Sequence, residues 1–382
     1  METGSFGAGR FKAAHAAARD ESQSWASTVE ACLAALGSLP SDANLGFLYA
    51  TDNLADDLEA VLTRLRETTG IEHWVGTVGM GIVANGAEFY DRTALSVLVC
   101  ALPSDGFRLF EPVVGDLKVF DRAHGDWVAR RRPFIGVVHG DPRNPDLVRI
   151  TEALSEATSA FLVGGLTSSR GDLPQIAGIP TSGGVSGVLF ASDQMAVAGL
   201  SQGCTPVAQA RRITDAEDNV IKTIDDRPAV DVLKEDIGEL LARDLSRLGG
   251  YIYVSFPIPG SDTGDYLVRN LTAIDPSRGW LQVGEWVSPG MAMTFCRRDH
   301  ASARDDLRRM LEDVAGRAGG APKAALYYSC VARGQNLFGP SSEELQIVRE
   351  VLGDLPLTGF FANGEISNNR LYGYTGVLTL LL

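Results

Sequence analysis

The sequence predicts an α/β fold in which repeated β-α-β-β units form layered sheets flanked by helices. Three segments share one pattern: an apolar strand, a helix, a second strand that ends in a Gly-rich loop, and a third apolar strand. The strands are short continuous apolar runs, which is typical of sheets covered on both faces. A segment with a different pattern lies before the third copy, and it predicts an inserted antiparallel α+β region.

The three copies begin and end at comparable strands. Their first strands read NLGFLYAT at 44–51, PFIGVVHG at 133–140 and AALYYSC at 324–330. Their last strands read ALSVLVCAL at 94–102, GVSGVLFAS at 184–192 and YTGVLTLLL at 374–382. In the first copy, apolar residues at three- and four-residue spacing predict one buried helix stripe, formed by Leu58, Val61, Leu62 and Leu65. We expect the first two strands of each copy to be parallel, with a right-handed crossover.

The inserted region covers roughly residues 201–322. Its sequence predicts one helix from Pro228 to Leu248 and another from Ala301 to Val314. Between these helices, turn residues at 275–279 and 288–290 separate three strands. Those strands, at 266–275, 279–287 and 290–299, are predicted to form a meander.

Composition excludes several classes of function. The chain has 382 residues, 45% of them hydrophobic, and a formal net charge of −14. This negative charge repels phosphate backbones and anionic lipid, so neither a nucleic acid nor a membrane is an expected partner. No apolar run approaches the ~20 residues that span a bilayer, and the N-terminus lacks a signal-peptide core, so we expect a cytoplasmic protein. The five cysteines lack metal-ligand spacing, and no metal site is predicted.

Several motifs carry a resemblance to a known family. They are SQGCTPVA at 201–208, AVDVLKED at 229–236, SCVARGQNLFG at 329–339, PLTGFFANGEI at 356–366 and YGYTGVL at 372–378. In this order they resemble the FIST family, and the resemblance covers nearly the whole chain. It implies a lead-in at 1–24, a FIST N-terminal domain at 25–200 and a FIST C-terminal domain at 201–382.

The resemblance also implies a function. FIST proteins are regarded as bacterial intracellular sensory modules that bind small ligands, and amino acids have been suggested as ligands. Some members are described as haem-based sensors of nitric oxide. The two FIST halves occupy most of this sequence, so we expect the signal to pass to a separate protein such as a kinase or cyclase. The open edges of a repeated sheet are consistent with a homodimer.

The candidate ligand site lies at the strand ends of the third copy, because ligands of parallel sheets bind beyond the carboxyl ends of the strands. The Arg333 guanidinium suits a ligand carboxylate, and Glu365 suits a ligand amine, so together they predict an amino-acid-like ligand. An ion pair between these two residues is the alternative interpretation. The full set of candidates in this copy is Cys330, Arg333, Gly334, Asn363, Gly364 and Glu365.

Glycines in matching loops of the three copies, Gly79, Gly165 and Gly364, are further candidates. A missing Cβ permits either a tight turn, which we favour, or the close approach of a ligand to the backbone. No copy forms a nucleotide phosphate loop. Cys204 lies in the SQGC motif and is a candidate redox partner of Cys330.

Two alternatives to a plain small-molecule sensor stay open. His139 lies at the carboxyl end of a strand and is the candidate axial ligand of a haem group. Cys330 is the candidate nucleophile of a thiol-dependent enzyme, with Arg333 favouring its thiolate and Glu365 as acid or base. No catalytic motif is recognisable, so we assign no catalytic residue and, apart from the haem alternative, expect no cofactor.

Overall fold

The three predicted copies fold together, while the inserted region forms a unit of its own. The computed structural model describes residues 1–20, 22–258 and 266–382. Contacts divide the chain into unit 1, Met1–Gln202 with Asp306–Leu382, and unit 2, Gly203–Asp305. These units differ from the predicted domains at 25–200 and 201–382, because the third copy packs with the first two and only the insertion is separate.

The described residues of unit 1 form three repeats, and the bounds of their elements follow in chain order. Strand β1 (Glu2–Ala8) precedes repeat 1, which contains β2 (Phe11–Ala17), α1 (Trp25–Leu36), β3 (Leu45–Thr51), a 3₁₀ helix (Asp52–Leu54), α2 (Leu58–Thr69), β4 (His73–Gly79), β5 (Gly81–Ala84), β6 (Ala87–Tyr90) and β7 (Ala94–Cys100). Repeat 2 contains β8 (Phe107–Val113), α3 (Lys118–Arg131), β9 (Ile135–Gly140), α4 (Leu147–Thr158), β10 (Phe161–Leu166), β11 (Gln175–Ala177), β12 (Ile179–Thr181) and β13 (Val185–Phe190). Repeat 3 opens with β14 (Ala196–Ser201).

The chain then passes through unit 2 before repeat 3 resumes. Unit 2 contains β15 (Cys204–Pro206), β16 (Arg211–Glu217), β17 (Val220–Ile224), β18 (Arg227–Pro228), α5 (Ala229–Ala242), a 3₁₀ helix (Leu245–Leu248), β19 (Ile252–Pro257), β20 (Tyr266–Asp275), β21 (Trp280–Val283) and β22 (Ala292–Arg298). Repeat 3 continues with α6 (His300–Ala318), whose first turn belongs to unit 2, β23 (Ala324–Cys330), a 3₁₀ helix (Gly334–Asn336), α7 (Glu343–Leu352), β24 (Leu357–Ala362), β25 (Glu365–Ser367), β26 (Arg370–Tyr372) and β27 (Gly376–Leu381).

The repeats exchange hairpins in a closed cycle. The three sheets have the strand orders β1-β2-β7-β3-β4-β11-β12, β26-β25-β10-β9-β13-β8 and β14-β27-β23-β24-β5-β6. The strands β4, β10 and β24 each therefore pair with a hairpin from another repeat: β4 with repeat 2, β10 with repeat 3 and β24 with repeat 1. The parallel pairs β3–β4, β9–β10 and β23–β24 confirm the predicted units.

The predicted helix stripe is confirmed. The segment predicted as a lead-in contains the two strands β1 and β2. Leu58, Val61, Leu62 and Leu65 of α2 are all buried, and the helix ends at Gly70 in the left-handed conformation. Within the lead-in at 1–24, β2 is mostly buried and pairs along its whole length with β7. No helix among the described residues is long and apolar enough to cross a membrane.

Three glycines occupy equivalent positions in the strands β4, β10 and β24. A Cβ built on Gly76, Gly164 or Gly359 would lie 1.8, 1.8 or 1.7 Å from a carbonyl oxygen of the neighbouring strand, which is β3, β9 or β23 respectively. Real Cβ atoms never approach an oxygen so closely, so only glycine fits. The backbone at each of these glycines would thus direct a Cβ at the carbonyl of the neighbouring strand, at the same register in all three repeats.

The residue that follows each contacted carbonyl points into one shared core. These residues are Tyr49, His139 and Tyr328, and all three are fully buried. The Tyr49 hydroxyl lies 3.0 Å from His139 Nε2 and 3.0 Å from the Tyr328 hydroxyl. Phe360 stacks on Tyr49 at a ring separation of 5.3 Å. The three repeats thus meet in a hydrogen-bonded Tyr–His–Tyr cluster inside apolar packing.

Unit 2 is built around six antiparallel strands that close on themselves. The ring order is β22-β16-β17-β21-β20-β19, and β19 pairs back to β22. The meander prediction is therefore right for β20 and β21 but wrong for β22, because closure of the ring places β22 beside β19 and β16. The helix predicted to reach Leu248 ends at Ala242, after a break at Gly238 where φ is 78°.

Gly359→Ala tests the requirement for glycine at this position. The added Cβ would collide with the Tyr327 carbonyl oxygen, so we expect the free energy of unfolding to fall by about 2 kcal/mol or more. Gly316→Ala in α6 is the matched control, because its Cβ meets open space and the helix should gain about 1 kcal/mol. Urea denaturation of both variants measures the difference, and equal stability of Gly359→Ala and wild type would contradict the packing.

Candidate functional site

The predicted residues of the third copy gather at the carboxyl ends of β23 and β24. Cys330 ends β23 and pairs in register with Ala362, which ends β24. Glu365 begins β25 and pairs with Gly165 of β10. Cys330 is 6% exposed and Glu365 is fully buried. The structure thus brings Cys330, Glu365 and Gly165 together from two repeats.

The Glu365 carboxyl group is only partly satisfied. Its Oε2 accepts hydrogen bonds from the Thr375 backbone N–H at 3.1 Å and from the Thr375 hydroxyl at 2.7 Å. The Cys330 thiol also interacts with this carboxyl group. Its Oε1 is buried and has no partner of hydrogen-bond geometry among the described residues. Burial raises the pKa of Glu365 to about 8, and Thr375 and Arg333 offset the effect only partly. At neutral pH the group is therefore mostly protonated.

Arg333 does not lie at the mouth of the site. Its side chain is fully buried and forms an ion pair with Glu344, with an Nη2–Oε1 distance of 2.8 Å. Its Nε donates to the same oxygen at 2.9 Å, and the guanidinium lies 5.0 Å from the centre of the Phe338 ring. An ion pair between Arg333 and Glu365 is therefore the wrong interpretation. A ligand carboxylate would have to displace Glu344 in order to reach this guanidinium.

Glu344 organises the loop that follows β23. It accepts hydrogen bonds from the Tyr327 hydroxyl at 2.6 Å, the Ser329 hydroxyl at 2.9 Å and the Gly334 backbone N–H at 2.8 Å. It lies in the first turn of α7, where the helix dipole favours negative charge. Glu344 is not among the residues predicted from the sequence, although an acidic residue that opens a helix shortly after a strand-end arginine is a signal for such a partner.

Gly334 is required by packing within this loop. Its φ is 51°, and a Cβ there would lie 1.8 Å from the Tyr90 hydroxyl oxygen. Tyr90 in turn donates to Glu88 of the same hairpin, at 3.1 Å. Burial and the nearby Glu344 carboxylate raise the pKa of Glu88. The loop of repeat 3 is thus packed against the hairpin of repeat 1, and Gly334 serves this contact.

The other predicted glycines also have packing roles. A Cβ on Gly79 would lie 2.6 Å from the Gly81 carbonyl oxygen, and one on Gly165 would lie 2.6 Å from Ala362 Cβ. Gly364 turns the chain with a φ of 124°. Asn363 between these strands has an exposed side chain, while its backbone N–H donates to the Leu166 carbonyl at 3.0 Å. Asn363 is therefore the predicted site residue that solvent reaches most easily.

Cys204 belongs to unit 2, whereas Cys330 belongs to unit 1. The Cys204 thiol hydrogen-bonds to Cys296, a residue of the same unit that was not predicted as its partner. Cys330 instead contacts Glu365. Each of the two cysteines of the predicted redox pair therefore has another neighbour.

His139 lies in the Tyr–His–Tyr cluster and not at an opening. Its Nε2 is within 3.0 Å of the Tyr49 hydroxyl, and burial lowers its pKa to about 3, so the ring is neutral. Its Nδ1 has no hydrogen-bond partner among the described residues, but the surrounding side chains are packed apolar and aromatic groups. An axial bond from His139 to a haem iron would require this core to open, so the residues around His139 do not fit a haem group. Among the described residues, no group of three or more acidic, His or Cys side chains is arranged to hold a metal ion.

A separate cleft of about 590 Å³ lies elsewhere in unit 1. It runs along β8 and α3, and its lining includes His73, Phe110, Glu111, Phe120 and His124. None of the residues predicted to bind a ligand lines it. The cleft is therefore a second place where a small molecule could bind, and experiments on the predicted site need to distinguish the two.

Arg333→Met tests the buried ion pair. The variant leaves the Glu344 carboxylate buried without its counter-charge, so we expect a loss of about 3–5 kcal/mol in the free energy of unfolding. Arg308→Met is the control, because the ion pair of Arg308 with Glu350 is exposed and should be worth less than about 1 kcal/mol. Chemical denaturation of both variants provides the comparison. Similar small losses of stability in the two variants would contradict the buried ion pair between Arg333 and Glu344.

Glu365→Gln tests the raised pKa of the Glu365 carboxyl group. Unfolding returns this pKa from about 8 to 4.5, so between these values the folded state binds more protons than the unfolded state. The contribution of Glu365 to stability is complete below pH 4.5 and is lost as the pH rises through 8. Relative to the variant, the wild type should lose up to about 1.4 kcal/mol per pH unit between pH 6 and pH 8. Denaturation at several pH values measures this difference, and parallel curves would contradict the shift.

Comparisons with known proteins agree with the motifs at this site. Residues 44–227 match the FIST N domain, and residues 229–368 match the FIST C domain. An uncharacterized protein of Mycobacterium tuberculosis is 31% identical over 361 residues, which cover 88% of this chain and 90% of the relative. An uncharacterized protein of Mycobacterium bovis is 32% identical over 363 residues, which cover 91% of this chain and 92% of the relative. FIST domains are generally associated with sensory signal transduction and the binding of small ligands, and this chain belongs to the FIST family.

Proposed function

We propose that the protein is a sensory module that binds a small metabolite bearing a protonated amino group, with Glu365 as the partner of that group. One observation carries the proposal: the Glu365 carboxyl is fully buried, yet Oε1 has no hydrogen-bond partner among the described residues. A buried polar atom without a partner costs free energy, and such atoms are rare in folded proteins. An ammonium group would supply both the missing hydrogen bond and the missing charge.

The position of Glu365 supports this role. It lies beyond the carboxyl ends of β23 and β24, where ligands of parallel sheets bind. Asn363, two residues earlier, is exposed and marks the side from which a ligand approaches. Because Glu365 has no solvent exposure, the loop around Asn363 has to move when the ligand enters.

Arg333 has a different role from the one that the sequence suggests. Its pairing with Glu344 stabilises the loop after Cys330, so the guanidinium is not available to bind a ligand carboxylate. The ligand class is therefore amines in general, and amino acids are one member of it. This geometry does not require the ligand to carry a free carboxylate.

The remaining parts of the sensory role rest on the family. We expect the bound state to be passed to a separate signalling protein, such as a kinase or cyclase, and we expect the protein to act in the cytoplasm. The contact between the Cys330 thiol and Glu365 favours a second candidate, a thiol-dependent enzyme in which this carboxyl group exchanges a proton with the sulfur. Turnover of a bound ligand distinguishes this candidate from a sensor.

Proton release on binding tests the amine proposal. A thermal-shift screen of amino acids and other primary amines identifies a ligand, and calorimetry in buffers of different ionisation enthalpy then counts the protons. The ammonium favours the ionised form of Glu365, so binding should release up to one proton and affinity should rise up to about tenfold per pH unit from pH 6 toward pH 8. Glu365→Gln should abolish both effects.

Glu88→Gln is the matched control, because Glu88 is also a buried carboxyl with a raised pKa but lies outside the Cys330–Glu365 site. It should bind the amine as the wild type does. A ligand that still binds to Glu365→Gln but is lost in His124→Ala would place the binding site in the cleft and contradict the proposal. Rapid alkylation of Cys330, together with consumption of the ligand, would favour the enzyme instead.

A further inference from the structure

Unit 2 brings two cysteine thiols together on one face of its sheet. Cys204 begins β15 and Cys296 lies within β22, and these strands are antiparallel neighbours. Cys204 pairs in register with Arg298, and Pro206 pairs with Cys296. The two cysteines are thus diagonal neighbours, two residues apart in register, and their side chains point to the same face because strand residues alternate with a period of two.

The two thiols are in contact and shielded from solvent. A hydrogen bond joins them, Cys204 is 9% exposed and Cys296 is 1% exposed. Neither forms a disulfide in this structure. Cys204 is the more accessible of the two, so a small reagent reaches it first.

The surroundings assign different roles to the two sulfurs. The hydrogen bond with Cys204 and burial both raise the pKa of the Cys296 thiol, so Cys296 stays protonated as the donor. Arg298, in register with Cys204, supplies a positive charge that favours a thiolate in the pair. Cys204, which is the more exposed sulfur and lies opposite Arg298, is therefore the sulfur that reacts with an oxidant, and Cys296 is the sulfur that resolves the product.

β15 is able to make the small shift that a covalent bond requires. Directly opposed residues of antiparallel strands are closer than diagonal ones, so Cys204 has to move slightly toward Cys296. β15 has three residues, lies at an edge of its sheet and ends at a proline, which has no N–H to donate to the ladder. A short edge strand of this kind is displaced at low cost.

We propose that Cys204 and Cys296 form a reversible disulfide in response to peroxide, a function that is independent of amine binding. The Cys204 thiolate attacks one oxygen of hydrogen peroxide, which breaks the O–O bond, oxidises the sulfur to sulfenic acid and releases hydroxide. The Cys296 sulfur then attacks the Cys204 sulfur, and the sulfenic oxygen leaves as water with the Cys296 proton. The released hydroxide takes up the proton that the Cys204 thiol has lost, so in total two thiols are oxidised, one peroxide is reduced and two waters form. A low-molecular-weight thiol reverses the reaction by disulfide exchange.

The disulfide would connect the first strand of unit 2 to its last. The chain enters unit 2 at Gly203, immediately before β15, and β22 is the last strand before the chain returns at Asp306. The bond therefore closes a loop that contains nearly all of the unit, and cross-links across long loops restrict the unfolded state most. Oxidation should stabilise unit 2 and raise its resistance to proteolysis.

Mass spectrometry of the full-length protein tests the proposal. After a small excess of hydrogen peroxide, the intact mass should fall by two hydrogens, and free thiols should fall by two of the five. A non-reducing peptide map of the wild type should show the Cys204–Cys296 cross-link, and dithiothreitol should remove it. The oxidised protein should also unfold at a temperature several degrees higher than the reduced protein.

Variants make the assignment specific. Cys204→Ser and Cys296→Ser should each abolish the loss of two hydrogens, whereas Cys330→Ser should still form the bond. Cys204→Ser should carry no stable sulfenic acid at position 296, because Cys296 is the resolving sulfur. A wild-type peptide map with a different cross-link, or with only over-oxidised single cysteines, would overturn the proposal, and this readout does not depend on whether the variants fold.

Discussion

The backbone edges of β4, β10 and β24 are the constraint on which the rest of unit 1 depends. Each of these strands pairs with only one strand of its own repeat, so its other edge would expose unpaired N–H and C=O groups. A hairpin from a different repeat pairs with that edge in all three cases. Because the exchange is cyclic, the three repeats stabilise one another, and β3, β9 and β23 converge on the shared Tyr–His–Tyr cluster.

The candidate site arises where this repetition is broken. Ile82, Gln175 and Glu365 occupy the same position in the three exchanged hairpins, since each pairs with the residue that follows a close-contact glycine. Ile82 is apolar, and Gln175 is satisfied by the Ser186 hydroxyl and the Gly184 carbonyl. Only Glu365 is ionisable. The same hairpin position therefore holds a core residue without an ionisable group in two cases and an ionisable residue, Glu365, in the third.

Charge pairing next to this site explains why Glu365 stays protonated. Arg333 is the nearby cation, but Glu344 accepts the hydrogen bond from its Nε, forms an ion pair with its Nη2 and lies at the favourable end of α7. Two buried carboxyl groups compete for one guanidinium, and the better placed one, Glu344, forms the ion pair. Glu365 is left with Thr375 and Cys330 as neutral neighbours, so burial dominates its pKa. The amine ligand that we propose would supply this missing positive charge.

The sequence by itself determined the three repeats, their parallel strand pairs, the buried stripe of α2 and the meeting of Cys330 with Glu365 at the strand ends. Apolar periodicity reports which face of an element is buried, and repeated patterns report equivalent units, so these features are local properties of the chain. Only the tertiary structure decided the hairpin exchange, the choice of Glu344 over Glu365 by Arg333, and the pairing of Cys204 with Cys296. Partner choice depends on distances between residues far apart in the chain, and periodicity carries no information about those distances.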